Sequence, residues 1–294
     1  MIPYQLIMTY ENKNYDVRKF TNIDKDYTIW TIYHGSAIPK QFNLFETNNN
    51  KLFNSANVGY DGLCLNNLNR FICESCGILY PYMNNLKSEI IGFEHYRRKY
   101  DTINFEKIKS GWTQCWKTIH LSSDWKRHNL NFDDIEYKGL ANYFAHWYAM
   151  DNGCYEDTIM FLNEYYPEML DTAKEFKDLY VCTLFITEWD KYEHIARFIL
   201  DYINFINIKY DLKYNEKKWY LHVYEKTILN YNLYKDKQSR CVKEGIYWNM
   251  QYNQGFDGYL GTKTSDNLWR IYAYYIEYLV SLYLHTYEKV FILK

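Results

Sequence analysis

The residues of this chain best equipped for chemistry lie in one short stretch, Glu89-Ile90-Ile91-Gly92-Phe93-Glu94-His95-Tyr96-Arg97-Arg98-Lys99-Tyr100. An apolar run ends there in one imidazole, two guanidiniums and an ammonium. A guanidinium is planar, keeps its charge at physiological pH and donates two parallel hydrogen bonds, which suits phosphate oxygens. The chemistry implied is the holding of a phosphate or diphosphate. Basic clusters at strand ends are often merely solvated, so what matters is the element that carries this one. Ile90 to Phe93 is short, partly β-branched and bounded by charge, which is the pattern of a buried strand. His95, Arg97 and Arg98 then stand at its C-terminal end, where open α/β sheets bind their ligands.

The rest of the chain reads as alternating strands and helices. Thr28 to Tyr33 is a strand stopped by His34-Gly35-Ser36, a loop through which a nucleotide could approach the backbone. Asn48 to Asn69 is Asn-rich and loop-like, and Arg70 to Tyr82 has helical spacing with Pro81 near its end. Leu140 to Met150 is apolar and aromatic. Tyr155 to Tyr166 and Glu168 to Phe176 read as helices on either side of Pro167. Leu179 to Ile186 reads as a second buried strand, leading into a helix over Trp189 to Ile206 with one apolar stripe. Trp219 to Ile228 and Trp269 to His285 are further helices, and Lys289 to Leu293 is a closing strand. The expectation is an α/β domain over residues 1–294, with a hairpin-like extension at 1–27 and a mainly helical portion at 207–294.

Composition narrows the function. The net charge of -2 leaves no global footprint for nucleic acid. Aromatic residues line sugar sites, but 20% aromatic content makes some near any pocket unavoidable. Seven cysteines form no regular framework, and Met1 to Tyr10 lacks the features of a secretory leader, so reduced thiols and a cytoplasmic setting are expected. Cys73-Glu74-Ser75-Cys76 is a CxxC without the second pair a structural zinc needs. No run reaches the roughly 18 apolar residues that span a bilayer.

Ile91-Gly92-Phe93-Glu94-His95-Tyr96-Arg97-Arg98 resembles the most recognisable motif of a glycosyltransferase family of capsular and exopolysaccharide loci, catalogued as domain of unknown function 4422. Some members are galactofuranosyltransferases. The resemblance extends from Thr28 to the C-terminus. An early strand ending near a His matches Thr31 to His34, and a Tyr-Cys-Glu-Leu-Thr segment is similar to Ile72-Cys73-Glu74-Ser75. The chain departs from the family where the family carries a Gly-Asp-Asn-like loop: the corresponding region reads Val58-Gly59-Tyr60-Asp61-Gly62, in which Asp61 is the candidate counterpart. An Arg before an aromatic-rich helix matches Arg270 to Glu277.

The resemblance implies a GT-A-like doubly wound, mostly parallel sheet flanked by helices, with helical C-terminal additions. It implies transfer of a sugar from a nucleotide-sugar donor, with a UDP-hexose favoured and UDP-galactofuranose one candidate. The acceptor would be a glycan or lipid-linked oligosaccharide of surface polysaccharide synthesis, which leaves peripheral association with the inner membrane face open. His34, Glu74, Arg97, Arg98 and Arg270 are the expected donor-binding residues. Two guanidiniums beside His95 would neutralise the leaving diphosphate where related folds use a divalent metal, so no cofactor is expected and Mn or Mg is the less favoured alternative. The only strict Asp-x-Asp, Asp24-Lys25-Asp26, precedes the first strand and reads as a turn. The acceptor hydroxyl needs a proton acceptor. Asp61, Glu74, His146, Asp151 and Glu188 are the candidates, His95 being the catalytic group expected beside the diphosphate, and Glu188 and Asp190 could equally cap the helix that follows them. The rival reading is a catalytically silent nucleotide- or carbohydrate-binding protein of an assembly complex.

Overall fold

A computed structural model describes residues 20, 23–33, 47–55, 60, 62–120, 154–176, 178–180, 183–229 and 270–293. Its centre is a six-stranded sheet of order β2-β1-β3-β7-β4-β8. The strands are β1 (Tyr27–Tyr33), β2 (Asn50–Asn54), β3 (Ile90–His95), β4 (Trp112–Cys115), β7 (Phe185–Glu188) and β8 (Lys289–Phe291). β1 is parallel to both β2 and β3, and β4 is parallel to β8, while β7 runs antiparallel between β3 and β4. A separate antiparallel pair joins β5 (Thr118–His120) to β6 (Asp178–Tyr180). The register sets Ile32 beside His95, so β1 and β3 end together.

Alternation along these strands assigns side chains to two faces. Trp30, Ile32, Ile91, Phe93 and Phe185 enter the larger core, against the helices α1 (Asn69–Ile72), α2 (Ser75–Met83), α4 (Cys154–Tyr165), α5 (Met169–Glu175), α6 (Trp189–Lys209), α7 (Glu216–Val223) and α8 (Ile271–Tyr287). Ile29, Ile90, Ile186 and Phe291 meet a smaller core under α3 (Phe105–Lys109). Parity puts His95 on the face of Ile91 and Phe93, toward the helices. Glu94 falls on the other face.

Two details fix α2 against the sheet. A Cβ at Gly77 would stand 2.8 Å from Ile32 and 2.9 Å from Phe53, so only glycine lets the helix come this close. The hydroxyl of Tyr192, on α6, donates to the Ile78 carbonyl at 2.6 Å and accepts from the Tyr82 amide at 2.8 Å. Those two backbone groups would otherwise bond to each other. The inserted hydroxyl bridges the helix ladder beside Pro81 and ties α6 to α2.

The structure departs from the sequence reading in three places. Asn50–Asn54 is a strand, not loop, because pairing with β1 supplies the order that its Asn-rich sequence does not advertise. The helix expected over Arg70 to Tyr82 is broken at Cys73, whose φ of 46° no α-helix accommodates. The strand expected over Leu179 to Ile186 is two strands in different sheets, separated by Thr183 at φ 56°. The helices over 154–165, 169–175, 189–209 and 271–287 fall where periodicity placed them. Helix α7 passes into a π-helical turn over Tyr224–Leu229. The expected hairpin at 1–27 and the apolar stretch 140–150 lie largely or wholly outside the described residues.

Candidate functional site

At the end of β3 the chain turns sharply. The Arg98 amide donates to the His95 carbonyl at 2.7 Å and the His95 amide to the Arg98 carbonyl at 3.1 Å, while the Tyr96 amide reaches the Ile32 carbonyl at 3.0 Å. His95 is held inside this turn: its Nδ1 accepts the Arg97 amide at 3.3 Å. The neutral ring therefore carries its proton on Nε2, which faces Glu74 Oε1 at 3.6 Å, a contact just beyond hydrogen-bond length. Burial lowers the His95 pKa to about 4; Glu74 opposes that shift, and Arg98, Arg97 and Arg270 reinforce it. The imidazole is neutral at physiological pH, and three guanidiniums act on it at once.

Those charges come from distant parts of the chain. Glu74 immediately precedes α2, Arg97 and Arg98 belong to the β3 turn, and Arg270 immediately precedes α8. The Arg97 guanidinium lies 4.8 Å over the Tyr96 ring, and that of Arg98 lies 5.9 Å over the Trp116 ring. Arg97 is exposed, and among the described residues no carboxylate pairs with it.

The loop beyond the turn is pinned residue by residue. Trp116 Nε1 donates to the Lys99 carbonyl at 3.0 Å, and Glu94 Oε1 accepts the Tyr100 amide at 3.1 Å. Buried Gln114 donates to the Thr102 carbonyl at 2.8 Å and accepts the Asn104 amide at 3.0 Å. Glu94 Oε2 also accepts the Thr31 hydroxyl at 3.4 Å, and burial raises the Glu94 pKa. These bonds order the basic segment in advance of any ligand, which lowers the entropic cost of binding one.

The structure brings Glu74 to His95 beside Arg97 and Arg98, and places Arg270 within electrostatic reach of the imidazole. It separates Glu188 from them. Glu188 pairs with Ile90, the first residue of β3, whereas His95 is the last. At about 3.3 Å per residue that is about 17 Å away along the strands, at the opposite end of the sheet. The sequence could not show this, because the strand ending in Glu188 runs antiparallel to β3. Asp190 follows at the same edge, in the first turn of α6. His34, Asp61, His146 and Asp151 lie outside the described residues. Asp24 Oδ1 accepts the amides of Asp26 and Tyr27 at 2.9 and 3.3 Å, closing the turn before β1.

Glu94, Gln114 and Trp116 were missed as anchors of the basic loop. Only the Glu beside His95 carried any signal in the sequence.

Beside His95 the described residues place Glu74, with Arg97 and Arg98 in the same turn. Among the described residues no three His, Cys, Asp or Glu side chains gather as a metal site. Cys73 and Cys76 are buried free thiols, and burial raises the pKa of both. A cavity of about 300 Å³ lies apart from the cluster, between Cys64, Leu65 and Asn67 and the loop of Lys213 to Lys217. Its mixed lysine, asparagine and glutamate lining focuses no single charge.

A mixed, mostly parallel sheet flanked by helices, with charged residues gathered at its strand ends, is a GT-A-like α/β fold. The chain is similar, over 92% of its length and with a TM-score of 0.50, to the apo structure of the bifunctional glycosyltransferase WbbM. Sequence identity is 12%, and the chain spans 45% of the length of that structure. No family model and no curated protein matches the chain. Among the described residues no helix is long and apolar enough to cross a membrane.

Proposed function

We propose that the chain is a glycosyltransferase that moves a sugar from a nucleotide-sugar donor to a glycan acceptor, with Arg97, Arg98, Arg270 and His95 holding the donor diphosphate. One observation carries this reading: Arg97 and Arg98 lie in the turn that closes β3 of a GT-A-like sheet, with the His95 ring held inside that turn and Glu74 reaching it from the start of α2. As the bond to the anomeric carbon stretches, negative charge builds on the departing diphosphate. Fixed cations stabilise that charge most at this moment, because they need no reorganisation. The donor we favour is a UDP-hexose, with UDP-galactofuranose as the form that the family resemblance suggests. A surface-polysaccharide acceptor, a cytoplasmic location and a contact with lipid-linked substrate at the inner membrane face belong to the same reading.

The test is a thermal-shift and calorimetric titration with UDP, GDP, CDP and dTDP, each with and without Mn²⁺, on the wild type and on Arg97→Ala. One nucleotide should stabilise the wild type without metal, by about 2.7 kcal/mol at a hundred-fold excess over Kd. Arg97→Ala should lose most of that effect. If no nucleotide stabilises the wild type, the proposal fails.

A further inference from the structure

Resting on that reading, we infer that Trp116 is a positioning residue of the donor site. Through the face of its indole and its hydrogen bond to Lys99, it fixes Arg98 where the departing diphosphate needs a cation.

Trp116 stands on a rigid support. It follows directly on β4, and its amide donates to the Leu184 carbonyl at 3.3 Å, which extends the bonding between β4 and the segment entering β7. Gln114, two residues earlier, holds the far end of the basic loop through Thr102 and Asn104. β4 and the residue just past it thus anchor the segment from Lys99 to Asn104 at both ends, and Glu94 of β3 holds Tyr100 between them.

The indole makes two contacts at once. Its Nε1 donates to the Lys99 carbonyl at 3.0 Å, which fixes the residue after Arg98. Its ring lies 5.9 Å from the Arg98 guanidinium, within the range at which a cation is drawn to an aromatic face. On the other side the Arg98 backbone is closed by reciprocal bonds with His95, at 2.7 and 3.1 Å. Arg98 is therefore held at its own amide and carbonyl, at the next residue and at its charged head. Arg97 is supported differently: its guanidinium lies over Tyr96, its neighbour in the chain. That contact stays within the turn, whereas the contact to Trp116 ties Arg98 to a second strand. Of the guanidiniums that lower the His95 pKa, Arg98 acts most strongly, which sets it toward the centre of the group.

A long cationic side chain loses rotamer freedom when it grips a phosphate, and ordering it beforehand removes that cost. A cation held in place also needs no reorganisation as charge builds on the diphosphate. Trp116 acts through Arg98 and not on the donor itself.

The test is a double-mutant cycle on nucleotide affinity. Calorimetric Kd values for UDP, GDP, CDP and dTDP, together with Tm, are measured for the wild type, Trp116→Phe, Trp116→Leu, Arg98→Ala and each Trp116 variant combined with Arg98→Ala. Trp116→Phe keeps the ring beside Arg98 and loses the N–H; it should weaken binding of the nucleotide that the wild type takes by about fivefold. Trp116→Leu loses both contacts and should weaken it by about tenfold or more. In the Arg98→Ala background either change should alter Kd by less than about twofold, because the group that Trp116 positions is gone. An indole with a merely structural role would weaken binding by the same factor in both backgrounds. Should Trp116→Leu fail to fold, the cycle with Trp116→Phe decides alone. Equal losses with and without Arg98, or wild-type affinity in both Trp116 variants, overturn the positioning role and leave the donor site standing. If the wild type binds none of the four nucleotides, the glycosyltransferase reading fails and the role assigned to Trp116 fails with it.

Discussion

Among the described residues two histidines, His95 and His222, are held neutral by burial, and one of them stands at the candidate site. His95 and His222 both have pKa values lowered to about 4, with loss of solvent as the leading cause. Their surroundings differ. His222, on α7, sits in a closed network: its Nε2 lies 2.6 Å from the Tyr272 hydroxyl and its ring 4.1 Å from that of Tyr210. Tyr210 donates to both oxygens of buried Asp157, at 2.8 and 2.7 Å, and Lys209 reaches the same carboxylate at 2.7 Å. Lys226 stands 3.7 Å from it. There one buried carboxylate pairs with two lysines, and the network joins α4, α6, α7 and α8. At His95 one half-buried carboxylate faces three guanidiniums, one of them exposed. A perturbed pKa therefore reports burial at both places; what separates them is position, since His95 stands in a turn at a strand end beside exposed Arg97 and His222 is enclosed between helices.

The largest expected effect tests the structural side of this contrast. Asp157→Ala leaves Lys209 and Lys226 without their shared counter-charge and should cost about 3 kcal/mol or more in urea unfolding. Nucleotide affinity of the folded fraction should stay unchanged. A loss of affinity without loss of stability would reverse the roles of the two regions.

The pH dependence of stability sharpens the contrast. Between pH 6.5 and about 4 the unfolded chain takes up protons that neither folded histidine accepts. Each histidine's contribution is thus complete above 6.5 and is lost as the pH falls, at up to about 1.4 kcal/mol per pH unit. Glu94 and Asp201, whose carboxyl pKa values burial raises, act in the opposite sense. Replacing His222 by Gln should therefore remove one histidine's share of the acid slope. Saturating nucleotide should remove the other, because a diphosphate beside His95 favours the protonated ring. Nucleotide should accordingly bind more tightly at pH 5 than at pH 7.5. Equal affinity at both pH values would argue against contact between the diphosphate and His95.

The smallest effect is Tyr272→Phe. It leaves His222 Nε2 without its partner in a buried position and should cost about 1–3 kcal/mol, read as a lower urea midpoint at unchanged slope.

The separation between these regions was only partly legible in the residues. His95, Arg97 and Arg98 adjoin in sequence, and the apolar run before them announced a strand with a cationic end. His222, in a helix of lysines and aromatics, carried no signal that it would meet Tyr272 across a gap of 50 residues. Glu188 shows the opposite error: a carboxylate at a strand end looks catalytic until the direction of the strand is known.

The sequence by itself determined the long helices, the buried strands β1 and β3 and the basic turn. These depend on local periodicity, burial and charge, which residues three or four apart already encode. Only the tertiary structure decided that β2 would form, that β7 would run antiparallel, and that Glu74 would meet His95. Each of those depends on pairing or packing between segments far apart in the chain, where neighbours are chosen by the whole core and not by the residues beside them.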